Sequence, residues 1–172
     1  PFQADDGRLA GLESRGLGDV YKRQALTQRL VYDMYNKKMD ATIGVDYSTK
    51  ILKMSDSSLI KLQMWDTAGQ ENFISLIRTY YKDVGGAIIM FDLCDRRTFN
   101  RVHFWYNELK KNALEDYPIL LIGNKLDGNR VVTDFEAQQL AMELKCQYAE
   151  MSVKTGQNTF ESIQKFTEHM YN

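Results

Sequence analysis

From Ala25 onward the chain alternates between two apolar periods. Ala25 to Tyr35 repeats apolar residues at helical spacing, with Leu26, Leu30 and Met34 on one face. Val45 to Met54 and Leu59 to Trp65 read as strands joined around the polar turn Ser55-Asp56-Ser57-Ser58, which predicts an antiparallel hairpin. In the second strand Ile60, Leu62 and Met64 alternate with Lys61, Gln63 and Trp65, so Trp65 is expected on the outer face. Ala87 to Phe91 and Ile119 to Ile122 are unbroken apolar runs, the pattern of parallel strands covered on both faces. Between them Phe99, Val102, Tyr106 and Leu109 form a helical stripe. Thr133 and Glu136 form a capping box ahead of Ala137, Leu140, Ala141 and Leu144. A short run from Gln147 to Met151 and a last helix from Asn158, with Phe160, Ile163 and Met170 inward, complete the pattern.

Strands alternating with helices predict an α/β fold, a mostly parallel sheet with helices on both faces. Ligands of such sheets bind at the carboxyl ends of the strands. Those ends carry Asp66-Thr67-Ala68-Gly69-Gln70, Gly123-Asn124-Lys125-Leu126-Asp127 and Ser152-Val153-Lys154. Each alone has a bland reading as a polar turn; the order and the shared position make them a candidate site.

Composition narrows the alternatives. A length of 172 residues suits one domain, and 22 Lys+Arg against 23 Asp+Glu leave no global field to recruit nucleic acid or an anionic membrane surface. Cys94 and Cys146 lie far apart without metal-ligand spacing, which favours reduced thiols and a cytoplasmic setting. No stretch reaches the length of a membrane span. His103 and His169 are expected on solvent-facing helix surfaces and carry no assigned role.

Residues 1–24 differ from the rest: few large aliphatics, no period, and Gly7, Gly11, Gly16 and Gly18 close together. Ser14 to Gln24 resembles one translated frame of a transposon-type sequencing adapter, and Phe2 to Gly7 resembles the adapter upstream of it. The expectation is a disordered adapter-derived arm over 1–24, fused to a domain over 25–172 that has lost its start.

The chain from Ala25 resembles the Ras superfamily of small GTPases, most closely the Rab family. Ala41 to Tyr47 resembles the first switch, Trp65 to Gln70 the second, and Tyr80-Tyr81-Lys82-Asp83 the motif that follows; Asn124, Lys125 and Asp127 with Ser152 to Lys154 match the guanine-recognition loops. The resemblance implies a three-layer fold of the P-loop NTPase type with a six-stranded, mostly parallel sheet. It implies a GTP/GDP switch in vesicle traffic, with Mg²⁺ as cofactor and an exchange factor, a GTPase-activating protein and effectors as partners.

The implied roles have physical reasons. Asp127 would accept from guanine N1–H and the 2-amino group, which adenine cannot offer. Lys125 would lay its stem over base and ribose, Asn124 would brace the loops, and the Val153 amide would donate to the base oxygen, with Ser152 and Lys154 completing the loop. Thr42 would reach Mg²⁺ and Asp66 would hold it through water, while Gly69 contacts the γ-phosphate and Gln70 orients the attacking water. Tyr47, Trp65 and Tyr80 would face effectors; core packing is the alternative for these aromatics.

Departures also matter. No G-x-x-x-x-G-K-S/T phosphate loop occurs anywhere, and spacing back from Thr42 puts its expected end near Gln24. First strand and phosphate loop are therefore expected to be missing. Asn72, Ile74 and Val153 replace commoner family residues, and the loop at Gly128-Asn129 is shorter. The last residues, Met170-Tyr171-Asn172, carry no prenylation cysteines, so membrane association is expected only if a further tail exists. The alternative function is a nucleotide-free interaction module that keeps the effector face. A flavodoxin-like or receiver domain shares the layers but does not explain the guanine-loop residues.

Overall fold

The computed structural model describes residues 9–12, 20–35, 45–67, 84–112 and 117–171. The elements are β1 (Leu9–Leu12), α1 (Val20–Tyr32), β2 (Val45–Lys53), β3 (Leu59–Thr67), β4 (Val84–Asp92), α2 (Arg96–Asn100), α3 (Val102–Asn112), β5 (Ile119–Asn124), α4 (Asp134–Glu143), β6 (Gln147–Glu150) and α5 (Thr159–Tyr171). They build a six-stranded sheet in the order β2-β3-β1-β4-β5-β6. Among the described strands only the β2–β3 hairpin is antiparallel, with Val45 opposite Thr67 and Lys53 opposite Leu59; the other pairings are parallel.

Alternation along the central strands divides the core into two layers. Ile88 and Met90 of β4 and Leu120 and Ile122 of β5 pack with Leu26 and Leu30 of α1 and Ile163 and Phe166 of α5. Ile89, Phe91 and Leu121 point the other way, onto Val102, Trp105 and Leu109 of α3 and Ala137, Leu140 and Ala141 of α4. Each such aliphatic side chain contributes about 1.5–3 kcal/mol on burial, which is what holds helices on both faces. In β3, Ile60, Leu62 and Met64 are buried, and Trp65 lies half-buried on the opposite face, as the alternation predicts.

The expected absence of the first strand is corrected here. Leu9–Leu12 is paired parallel to both β3 and β4, with Gly11 opposite Trp65 on one side and Ala87 on the other. Without a strand there, β3 and β4 would each present a row of unpaired backbone groups, so a short segment free of proline satisfies both edges. The expected disordered arm is corrected again at its end: α1 begins at Val20, because Val20-Tyr21-Lys22-Arg23-Gln24 contains no helix breaker and propagates the helix backwards.

Three smaller expectations also change. Met34 is exposed, because α1 stops at Tyr32 and Asp33 turns into the left-handed region at φ 53°. Phe160 is exposed as well; α5 points Thr159, Ile163, Phe166 and Thr167 inward instead. The Phe99-to-Leu109 stripe is broken into α2 and α3 at Arg101, with Asp95 capping α2 through the Arg97 N–H. The capping box at Thr133 and Glu136 forms as predicted. His103 and His169 face solvent, and Cys94 and Cys146 are free thiols, both partly buried.

Candidate functional site

The site grows from the carboxyl end of β5. Asn124 is 3% exposed, and its Oδ1 accepts the Lys125 N–H at 2.7 Å and the Val153 N–H at 3.1 Å. Lys125 then adopts φ 67°, turning the chain so that the Gly128 N–H reaches the Lys125 carbonyl at 2.9 Å. The Leu126 N–H donates to Met151 O at 3.1 Å and the Met151 N–H to Gly123 O at 2.9 Å, which fixes the loop after β5 to the chain leaving β6. One buried amide side chain and these backbone bonds make a single corner of two loops far apart in sequence.

Asp127 stands at its rim. Ser152 Oγ donates to Asp127 Oδ1 at 2.6 Å, and Lys154 Nζ lies 3.1 Å from Oδ2. The Ser152 hydroxyl first, then the Lys154 ammonium, hold the Asp127 carboxyl below the usual carboxylate range, so it is ionised at neutral pH. A carboxylate offers about four lone-pair sites, and the described contacts use one on each oxygen. The rest match a planar edge carrying two neighbouring N–H donors.

Lys125 Nζ pairs with Asp92 Oδ2 at 2.8 Å across the same corner. Asp92, at the end of β4, is buried; its Oδ1 accepts the Cys94 N–H at 2.8 Å, and its own N–H donates to Thr98 Oγ1 at 2.9 Å. The pair anchors the far end of the Lys125 chain and leaves its aliphatic stem to form a wall. Burial, and then the Asp92 carboxylate, push the neighbouring Cys94 thiol above its ordinary value. The sequence reasoning missed Asp92, although it ends an unbroken apolar run like the other site residues. It also missed Arg29 of α1, whose Nε donates to Val153 O at 3.0 Å and whose Nη2 donates to Lys154 O at 2.7 Å.

The structure thus brings Asn124, Lys125, Asp127, Ser152, Val153 and Lys154 together. One detail differs: the Val153 N–H, expected to face a base oxygen, donates to Asn124, because a buried amide needs an acceptor and this one is in reach. A base oxygen would have to share it. Thr42, Gly69, Gln70 and Tyr80 lie outside the described residues. Asp66 and Tyr47 are described as backbone only: Asp66 lies beside Leu12 at the carboxyl end of β1 and opposite Asp46, and Tyr47 lies opposite Trp65. Among the described residues, no three His, Cys, Asp or Glu cluster in a way that would hold a metal.

A six-stranded sheet of this order, with a polar corner built at its carboxyl edge, defines an open α/β domain whose candidate site lies where such sheets place their ligands. The profile described as "Ras family" matches residues 16–172. The chain is similar to the Ras-related protein Rab-11B of Dictyostelium discoideum, 41% identical over 133 residues, or 76% of this chain and 60% of that protein. The Ras-related protein SEC4 of Candida albicans is 37% identical over 138 residues, 79% of this chain and 65% of its own. The Ras-related protein Rab-4A of Rattus norvegicus is 34% identical over 152 residues, 87% of this chain and 69% of its own. The chain belongs to the Ras family, as a Rab-type member of that superfamily. It spans 60% and 65% of the length of the first two relatives.

Proposed function

We propose that the protein is a guanine-nucleotide switch of the Rab type, acting in vesicle traffic through partners that read its switch segments. The observation that carries this is Asp127, held ionised and oriented by Ser152 and Lys154 with acceptor sites to spare. Guanine offers N1–H and a 2-amino donor on one edge; adenine would leave the carboxylate facing no donor, which costs binding heavily. Lys125, tied back by Asp92, supplies the stem that covers the base.

The rest of the reading comes from the family. Thr42 and Asp66 would hold Mg²⁺, and the placement of Asp66 at the carboxyl ends of β3 and β1 suits that role. Bound there, the ion would neutralise phosphate charge. Gly69 would contact the γ-phosphate, and Gln70 would orient the attacking water, with a GTPase-activating protein adding an arginine. Exchange factors and effectors would bind the switch segments, with Tyr47, Trp65 and Tyr80 presented to effectors. The chain carries no G-x-x-x-x-G-K-S/T motif to cradle the phosphates. Nucleotide affinity of this chain is therefore weak, with a Kd above about 1 μM, and hydrolysis negligible. The residues 1–24 that resemble translated adapter stand where that loop would be; native codons at the junction in the parent nucleotide record would refute that origin. No observation favours the nucleotide-free interaction module.

The test is Asp127→Asn, titrated by NMR with GDP, XDP and ADP. The unchanged chain should prefer GDP, and the variant should shift toward XDP, whose 2-oxo group needs a donor. Unchanged GDP preference removes Asp127 from base recognition. Kd below about 1 μM for GDP would overturn the expected weakness.

A further inference from the structure

The corner described above is held to β5 by Asn124, and it is held just as directly to α1 by Arg29, a residue of no assigned role. The Arg29 side chain is 16% exposed, and all three of its nitrogens are used. Nε donates to Val153 O at 3.0 Å and Nη2 to Lys154 O at 2.7 Å; Nη1 donates to Asp33 O at 3.0 Å and Asp33 Oδ1 at 3.1 Å. Asp33 Oδ1 is on a 92% exposed side chain, so that ion pair by itself is weak. The carbonyl contacts carry the arrangement. A planar guanidinium presents its N–H groups in a fixed fork, so accepting two consecutive carbonyls from one loop sets that loop's position and tilt.

Both partners are shaped for this contact. Asp33 follows α1 in the left-handed region, with its N–H on Arg29 O at 3.0 Å, which directs its carbonyl back toward the guanidinium. On the loop, Gly156 takes φ 86° and lies against Arg29, where a Cβ would stand 3.9 Å from Cδ and Nε. The Gly156 N–H closes the turn on Ser152 O at 2.8 Å. The Val153 peptide group is thereby gripped on both sides, its N–H by Asn124 and the following carbonyl by Arg29. Lys154 is gripped at its carbonyl by Arg29 while its ammonium reaches Asp127.

We propose that Arg29 is a positioning residue for base recognition: from α1 it sets the Val153–Lys154 backbone, and through it the aim of Lys154 and Asp127. This rests on the guanine reading above, and the experiment separates the two. In the full chain, Arg29→Gln removes the fork and Arg29→Lys keeps the charge with a single ammonium. Amide hydrogen exchange by NMR should accelerate about tenfold or more at Val153 and Thr155 in Arg29→Gln, with Leu121 and Ile122 of β5 unchanged and Arg29→Lys intermediate. The GDP-over-ADP preference, read by NMR titration, should fall in the same order. Unchanged exchange at Val153 and Thr155 overturns the proposal. So does equal acceleration across β5, which marks a general structural role, or an unchanged preference. If the unsubstituted chain shows no guanine preference, the guanine reading fails, and the exchange measurement alone decides whether Arg29 holds the loop.

Discussion

Ser152 Oγ donates to Asp127 Oδ1 at 2.6 Å, joining two loops separated by 25 positions of sequence. The same hydroxyl oxygen accepts the Thr155 N–H at 3.1 Å, so its proton is committed to the carboxylate while its lone pair holds the next turn. Removing it should act on both. In Ser152→Ala the Asp127 pKa should rise, since Ser152 is the largest influence holding it down. The sign follows: a lowered folded-state pKa means that whatever depends on ionised Asp127 is present above the ordinary carboxylate range and lost as pH falls through the lowered value. A carboxyl-carbon NMR titration should place the Asp127 midpoint higher in the variant. Guanine preference should drop by roughly fivefold to tenfold, the worth of about 1 kcal/mol for one hydrogen bond. An unmoved midpoint would show that Lys154 suffices.

Glu136 offers a pH test remote from the site. Its carboxylate caps α4, accepting the Thr133 N–H at 2.9 Å, and pairs with Arg96 from α2. Arg96 first, and then Thr133, bring its pKa down from 4.5 to about 2. Because the folded value is depressed, this stabilising contribution is complete above 4.5 and fades as pH falls toward about 2. Thermal unfolding followed from pH 6 to pH 2 should therefore show a shallower acid decline in Glu136→Gln than in the unsubstituted chain. Parallel declines would mean that the contacts are too solvent-screened to matter.

Gly86 in β4 tests how closely α5 lies on the sheet. A Cβ there would overlap Met170 Sδ and stand 3.1 Å from Phe166 Cζ. Gly86→Ala should cost about 1–3 kcal/mol as an overpacked core contact. Met170→Ala in the same chain should recover part of that loss, since the sulfur is the nearest obstacle. Denaturant unfolding of the two single variants and the double variant measures this, and strictly additive losses would place the strain elsewhere.

Much of this architecture is legible in sequence because its strands announce themselves. Ile119 to Ile122 is too uniformly apolar for a half-exposed strand, and the residues after it fall where open parallel sheets place ligands. Leu9–Leu12 carries no such signal, since four residues including a glycine are too few to show a period; the unpaired edges of β3 and β4 select it. Arg29 is hidden for another reason. Its partners lie 124 and 125 positions away, and within α1 it reads as an ordinary solvated helix cation. The Val153 amide shows the limit of role transfer, because the side chain that braces the loop is also the acceptor nearest to that N–H.

Asn124 should therefore be as important to the free protein as to nucleotide recognition. Its Oδ1 is the acceptor for two backbone N–H groups, those of Lys125 and Val153, in a region where Asn124, Ser152 and Val153 are all buried. Asn124→Ala removes that acceptor without offering another, and each buried donor left unpaired costs about 1–3 kcal/mol. The sum, about 2–6 kcal/mol, is a large share of the 5–15 kcal/mol typical of a domain. Thermal unfolding without nucleotide should accordingly show a marked fall in Tm for Asn124→Ala. Asn124→Asp, which keeps an oxygen at the same position, should recover most of it, while losing guanine preference through repulsion with Asp127. If Asn124→Ala unfolds at the temperature of the unsubstituted chain, the Leu126 and Met151 backbone bonds and the Asp127 contacts to Ser152 and Lys154 hold the two loops without it, and Asn124 acts only on the base.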